Sequence, residues 1–106
     1  MEITLVDRTD GIDGSVREIV PLKLERLKRH DRHLERAEVR FSEERNPRIA
    51  EKERCDITME GSGVVVRAHA YGLHPSAALD KVIDKLVHAL ERVDRSKDKA
   101  MKKVSA

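Results

Sequence analysis

The sequence predicts an α+β domain in which the elements follow the order β-α-β-β-β-α. Two observations predict this fold class: apolar and polar residues alternate in short stretches, and apolar residues recur every three or four positions in two longer ones. At 106 residues the chain has the length of one domain. Because each strand has one apolar face and each helix one apolar stripe, both helices are expected on one face of a four-stranded sheet, with the other face open.

The first strand is predicted at residues 3–6 and the first helix at 14–31. The helix is indicated by apolar residues at helical spacing, namely Ile12, Val16, Ile19, Val20, Leu24 and Leu27. Pro21 lies inside it and costs about 3 kcal/mol in a helix interior. Because Pro21 projects away from the apolar stripe, we expect one helix that is kinked on its solvent side.

Alternation predicts a second strand at 37–41 and a third at 55–59, and the turn at 61–63 joins the third strand to a fourth at 64–71. Pro75 suits the first turn of the second helix. Consecutive elements are usually neighbours, so the first strand is expected to pair with the second. The open face of the sheet would carry Arg40, Arg54, Asp56, Thr58, Arg67 and His69.

Composition excludes several classes of protein. With one Phe, one Tyr and no Trp, a sheet of stacked aromatic side chains of the RRM type is nearly excluded. The single Cys55 excludes an intrachain disulfide and fits a reducing compartment. There is no apolar run of about 20 residues and no signal peptide at the N-terminus. We therefore expect a small, soluble, cytoplasmic domain.

Charge is abundant and segregated. Charged residues make up 40% of the chain, but the net charge is only +2. Residues 1–13 carry a net charge of −3, residues 14–33 carry +3, and residues 92–106 carry +4. Basic stretches separated from acidic ones indicate an anionic partner.

The second helix is the most informative element. Seven basic or histidine side chains fall within an arc of about 100° opposite its apolar stripe, over a length of about 30 Å. We call these residues the basic ridge: Lys81, Lys85, His88, Arg92, Arg95, Lys99 and Lys102. Acidic residues gather on one flank beside it. Cations along a helix can neutralise nucleic-acid phosphates; the alternative is a solvated face with salt bridges to the neighbouring acids.

The first helix adds a second set of candidate RNA-binding residues, Lys23, Arg26, Lys28 and Arg29. Lys23 falls on the sector of the apolar stripe, so its side chain must snorkel or reach sideways toward the second helix. Two helices packed side by side would join both basic sets into one patch.

No enzyme is predicted. His30 and His33 with Asp31, or Cys55 with His69, do not supply a four-ligand metal set with a recognised spacing. No glycine-rich loop precedes a helix in phosphate-binding form, and no serine has the context of an activated nucleophile. We therefore expect no metal, no cofactor and no small-molecule substrate.

The segment from Ala77 to Leu86, Ala-Ala-Leu-Asp-Lys-Val-Ile-Asp-Lys-Leu, resembles the second-helix signature of the ribosome hibernation-promoting factors, also called ribosome-associated inhibitor or protein Y. The resemblance covers about residues 2–95. It implies a domain in the mRNA and tRNA channel of the small ribosomal subunit that silences translation, with Lys23, Lys85 and Arg92 contacting ribosomal RNA. His74, Pro75 and Ser76 depart from the family pattern.

On this interpretation residues 1–95 form the ribosome-binding domain, and residues 96–106 form a basic, partly frayed extension of the last helix. The chain would be a short form of the family or the N-terminal domain of a long form. Two alternatives stay open. A double-stranded RNA-binding module shares the α-β-β-β-α order but has its basic cluster at the start of the last helix. A protein-interaction domain would associate through its open sheet or an edge strand.

Overall fold

The predicted order of elements is confirmed. The computed structural model describes residues 1–9, 11–28, 34–61 and 63–105, with side chains as far as residue 92. Its elements are β1 (Glu2–Asp7), α1 (Gly14–Lys28), β2 (Arg36–Glu43), β3 (Glu53–Gly61), β4 (Val64–Gly72) and α2 (Pro75–Ser105). The last turn predicted for the first helix, at 29–31, lies outside the described residues.

The four strands form one sheet in the order β1-β2-β3-β4, so β1 and β4 are its edges. β1 pairs with β2, as the sequence predicted; this pairing is parallel, and the other two are antiparallel. A parallel pair needs a crossover connection, which α1 supplies. β3 and β4 are joined by a tight turn, in which Gly63 has a φ of 78°, a value that favours glycine.

Both helices pack on one face of the sheet. Alternate residues of β2, β3 and β4 are buried there, and the helices cover them with residues at helical spacing. The fully buried large side chains are Phe41, Leu24, Leu27, Leu34, Ile57, Met59, Leu79, Leu86, Leu90, Val20, Val39 and Val82. Each such side chain contributes roughly 1.5–3 kcal/mol by leaving water, so this layer is the main source of stability.

Among the described residues, the helices bury the apolar residues predicted from helical spacing, except Ile19. α1 continues through Pro21, which is exposed, as expected for a proline on the solvent side. Ile19, counted in the apolar stripe, is 37% exposed because it lies at the margin of the buried arc. Within the described ranges, neither helix has a stretch long and apolar enough to cross a membrane.

The Asp7 carboxylate organises the entry into α1. It accepts hydrogen bonds from the backbone N–H of Thr9 at 2.9 Å and of Ile12 at 3.1 Å, and it forms an ion pair with Arg17 at 3.2 Å. The Thr9 hydroxyl also donates to it, and these hydrogen bonds hold the pKa of Asp7 below its usual value. The end of β1 is thereby tied to the first turn of the helix.

Candidate nucleic-acid interface

The basic ridge of α2 leans toward the edge strand β4. The Nζ atom of Lys85 donates a hydrogen bond to the backbone carbonyl oxygen of His69 at 2.8 Å. Because β4 is an edge strand, this carbonyl points out of the sheet, where an outer strand would otherwise pair with it. Lys85 therefore crosses from the helix to the strand.

The opposite flank of α2 faces α1 and is acidic. Lys23 of α1 forms an ion pair with Asp80 of α2. Asp84 and Glu91 share the flank of Asp80 by helical spacing. The ammonium of Lys23 does reach sideways to the second helix, as the sequence indicated. Among the described residues, Lys23 thus meets the acidic flank of α2 and not its basic ridge.

Part of the ridge is salt-bridged, which is what the alternative of a solvated face predicts. Lys81 lies 2.9 Å from a carboxylate oxygen of Glu51, and both side chains are about half exposed. Nδ1 of His88 lies 3.7 Å from a carboxylate oxygen of Glu91. Exposed pairs of this kind are worth roughly 0–1 kcal/mol. An anionic ligand could therefore displace them at little cost.

Lys85 and Arg92 differ from the other described ridge residues. Both are exposed, and among the described side chains neither forms an ion pair with a carboxylate. They lie one above the other on the β4 side of α2, because seven residues complete about two helical turns. Among the ridge residues whose side chains the structure describes, these two cations are open to an anion.

A groove separates β4 from α2 beneath these cations. Its volume is about 500 Å³, and it is lined by Arg67, Ala68, His69, Lys85, His88, Ala89 and Arg92. The two alanines are partly buried and form the floor, and Lys85, His88 and Arg92 are exposed on the α2 side. Arg67 and His69 alternate with the helix-facing residues of β4, so they border the groove at the strand edge while their side chains project toward the open face of the sheet. None of the described residues that line it is acidic. We call this feature the β4–α2 groove.

Sequence reasoning missed Arg67 and His69 as members of this site. It placed both on the open face of the sheet, which they also line. They join the ridge only because α2 packs beside β4 and not beside β1. No local sequence signal indicates which edge the helix follows.

The open face of the sheet carries the residues predicted for it, in a depression of about 760 Å³. Its charges are largely paired. Arg40 contacts Glu38 at 2.8 Å, and the guanidinium of Arg54 donates to both carboxylate oxygens of Asp56 at 2.8 and 2.9 Å. These hydrogen bonds hold the pKa of the Asp56 carboxyl below its usual value. With four acidic residues in its lining, this face offers an anion less than the groove does.

The remaining sequence candidates are dispersed or lie outside the described part. Arg26 and Lys28 are exposed on α1, away from the groove. Arg29 and the side chains of Arg95, Lys99 and Lys102 lie outside what the structure describes, as do His30 and His33. Cys55 is buried, which raises the pKa of its thiol to about 12. Among the described residues no cluster of three or more His, Cys, Asp or Glu could hold a metal ion.

Comparison with known proteins identifies relatives of this fold and sequence. A ribosome hibernation promotion factor from Picosynechococcus sp. is 26% identical over 93 residues, which are 87% of this chain and 48% of that protein. The chain thus spans about half the length of that curated relative. The crystal structure of the Thermus thermophilus Protein Y N-terminal domain matches with 30% identity and a TM-score of 0.72, over 88% of this chain and 99% of that one.

A ribosomal subunit interface protein from Coxiella burnetii has the same fold, with a TM-score of 0.78 over 90% of this chain and 99% of that one, at 19% identity. The family described as Sigma 54 modulation protein / S30EA ribosomal protein matches residues 6–100. These matches confirm the resemblance seen in the second helix. The chain belongs to the Sigma 54 modulation protein / S30EA ribosomal protein family.

Proposed function

We propose that this chain binds the small ribosomal subunit in the mRNA and tRNA channel and silences translation by occupying it. The family is described as an S30EA ribosomal protein, and a relative is named a ribosome hibernation promotion factor. In this role the chain acts on ribosomes in the cytoplasm, by occupancy and not by turnover, and it needs no cofactor.

The observation that carries the proposal is the β4 side of the basic ridge. Lys85 and Arg92 are exposed and face away from the acidic flank of α2. Cations in this position can approach RNA phosphates without bringing a carboxylate with them. Each phosphate that is neutralised releases counterions, so binding is expected to weaken steeply as salt is raised.

Cosedimentation with purified small ribosomal subunits tests the site. The double variant Lys85→Glu and Arg92→Glu reverses two exposed charges and should abolish cosedimentation while circular dichroism stays native. The matched control reverses two exposed arginines of the β2–β3 loop, Arg45→Glu and Arg48→Glu, with the same change in net charge. If both variants lose cosedimentation equally, the effect is one of net charge, and the proposal that Lys85 and Arg92 form the binding site is contradicted.

Cell-free translation tests the mechanism. If the protein silences translation by occupying the channel, inhibition should be complete at about one copy per ribosome, and added mRNA with initiator tRNA should relieve it. Inhibition far below stoichiometry would indicate a catalytic activity. Ribosome binding that is indifferent to mRNA and tRNA would place the protein elsewhere on the particle.

A further inference from the structure

We propose that the β4–α2 groove binds a single RNA strand by its phosphodiester backbone, with Arg67 at the edge of β4 as a contact in addition to Lys85 and Arg92. This inference rests on the proposed function, since it specifies the form of RNA that the same side of α2 receives. It adds a second wall, made by the edge strand, to a site that would otherwise be one helix face.

The shape of the site favours a single strand. A helix that recognises a duplex protrudes from the protein surface and inserts into a groove of the nucleic acid. Here the relation is reversed, because the cations of α2 overhang a depression that β4 closes on the other side. Proteins that bind unpaired strands use a positively charged groove of this kind to follow the backbone. Lys85 and Arg92 are separated by about 10 Å along the helix, so the two cations can contact different phosphates of one strand.

Lys85 is held ready to donate. Its ammonium lies 2.8 Å from the carbonyl oxygen of His69, so it is fixed over the groove. An ammonium has three donors, and one hydrogen bond to the strand leaves two for phosphate oxygens. The chain has therefore already ordered this long side chain, and a ligand loses less conformational freedom on binding to it.

The side chains that β4 carries on the open face, behind the groove, are ordered as well. The ring of His69 meets the ring of Tyr71 edge to face, with 6.1 Å between the ring centroids. The hydroxyl of Tyr71 in turn accepts a hydrogen bond from Arg54 at 2.8 Å. Arg67 is exposed and lines both the groove and the open face of the sheet, so its guanidinium can reach a strand at the border between them.

Two small residues keep the groove open. Ala68 of β4 and Ala89 of α2 form its floor, so a larger side chain at either position would fill it without altering any charge. This allows two models of RNA binding to be distinguished. If the RNA strand lies in the groove, a side chain that fills the groove should weaken binding. If the RNA contacts only the cations of α2, the same variant should bind RNA with unchanged affinity.

The test measures binding of the full chain to a fluorescent unstructured RNA of roughly 12 nucleotides and to a duplex of the same sequence. The single strand should bind about tenfold more tightly than the duplex. The variants Ala89→Leu and Arg67→Gln should weaken it, by about tenfold and by about threefold. Matched controls in the exposed β2–β3 loop, Ala50→Leu and Arg45→Gln, should leave it unchanged.

Ala68→Val fills the same groove from β4, where a β-branched residue suits the strand. This variant replaces Ala89→Leu in the test if Ala89→Leu does not fold. Equal affinity for strand and duplex overturns the inference. So does full strand binding by a folded groove-filling variant. If strand binding fails in these ways while Lys85→Glu with Arg92→Glu still loses the small subunit, only the groove is wrong. Strand binding without binding to the subunit supports the groove and overturns the proposed function.

Discussion

Lys23 of α1 and Asp80 of α2 form an ion pair that joins the two helices above the sheet. The side chain of Lys23 is 21% exposed and that of Asp80 is 58% exposed. Lys23 is among the residues that the family resemblance implies as RNA contacts. In this position Lys23 also links α1 to the acidic flank of α2.

The first prediction concerns this ion pair. In a double-mutant cycle with Lys23→Ala and Asp80→Ala, the coupling free energy should be favourable, at roughly 0.2–1 kcal/mol, and should fall at high salt. Urea unfolding of the four proteins measures it. The same cycle with Arg26→Ala in place of Lys23→Ala is the control, and its coupling should be close to zero. A coupling at Lys23 no larger than at Arg26 would show that the pair does not join the helices.

The second prediction concerns Gly72, at the end of β4. A Cβ atom placed there would lie 2.6 Å from the backbone nitrogen of Ala78 and 2.9 Å from the Cβ of Ala77, closer than such atoms approach. Gly72→Ala should therefore push the start of α2 off the sheet and destabilise the protein by about 1–3 kcal/mol. Gly14→Ala is the control, since nothing lies near its Cβ position and α1 begins there. Thermal melts compare them, and equal stability would contradict the close approach.

The third prediction concerns pH. The hydrogen bonds from Thr9 and Ile12 and the charge of Arg17 lower the pKa of Asp7 in the folded protein. The stabilisation from a lowered carboxyl pKa is full above the pKa of the unfolded chain and is lost as pH falls through that of the folded protein. Asp7→Asn should therefore cost on the order of 1 kcal/mol at about pH 7 and less at about pH 3.

Urea unfolding at both pH values measures the difference between wild type and Asp7→Asn. Glu25→Gln, at an exposed position in α1, is the control and should change the free energy of unfolding little at either pH. A deficit in Asp7→Asn that stays constant down to the lower pH would argue that the loop does not depend on the ionised carboxylate.

The fourth prediction concerns Cys55. Burial among the core side chains, and secondarily the charge of Asp56, raises the pKa of its thiol to about 12. Because the thiolate is the reactive form, iodoacetamide should not label the native protein at about pH 8 but should label it fully in urea. Mass spectrometry measures the labelled fraction. Rapid labelling under native conditions would show that β3 opens or that the thiol is accessible.

The elements and the core follow from the sequence alone. Alternation over Ala37, Val39 and Phe41 marks the buried face of β2, and helical spacing over Leu79 and Leu86 marks that of α2. Both patterns are periodic over a few residues, so they can be read without knowledge of the fold. The order β-α-β-β-β-α then leaves few ways to bury these faces together. The second-helix signature, equally local, indicated the family.

Tertiary structure alone decided how the candidate site is composed. Lys85 contacts His69 because α2 packs beside β4, and the two residues are 16 positions apart in the chain. The same packing turns the acidic flank of α2 toward Lys23, which pairs with Asp80 there. The periodicity of a helix shows which side faces the sheet, but it does not show which neighbour lies on each flank. That choice depends on how the whole layer of helices covers the sheet, and so Arg67 and His69 became visible as part of the site only in the folded protein.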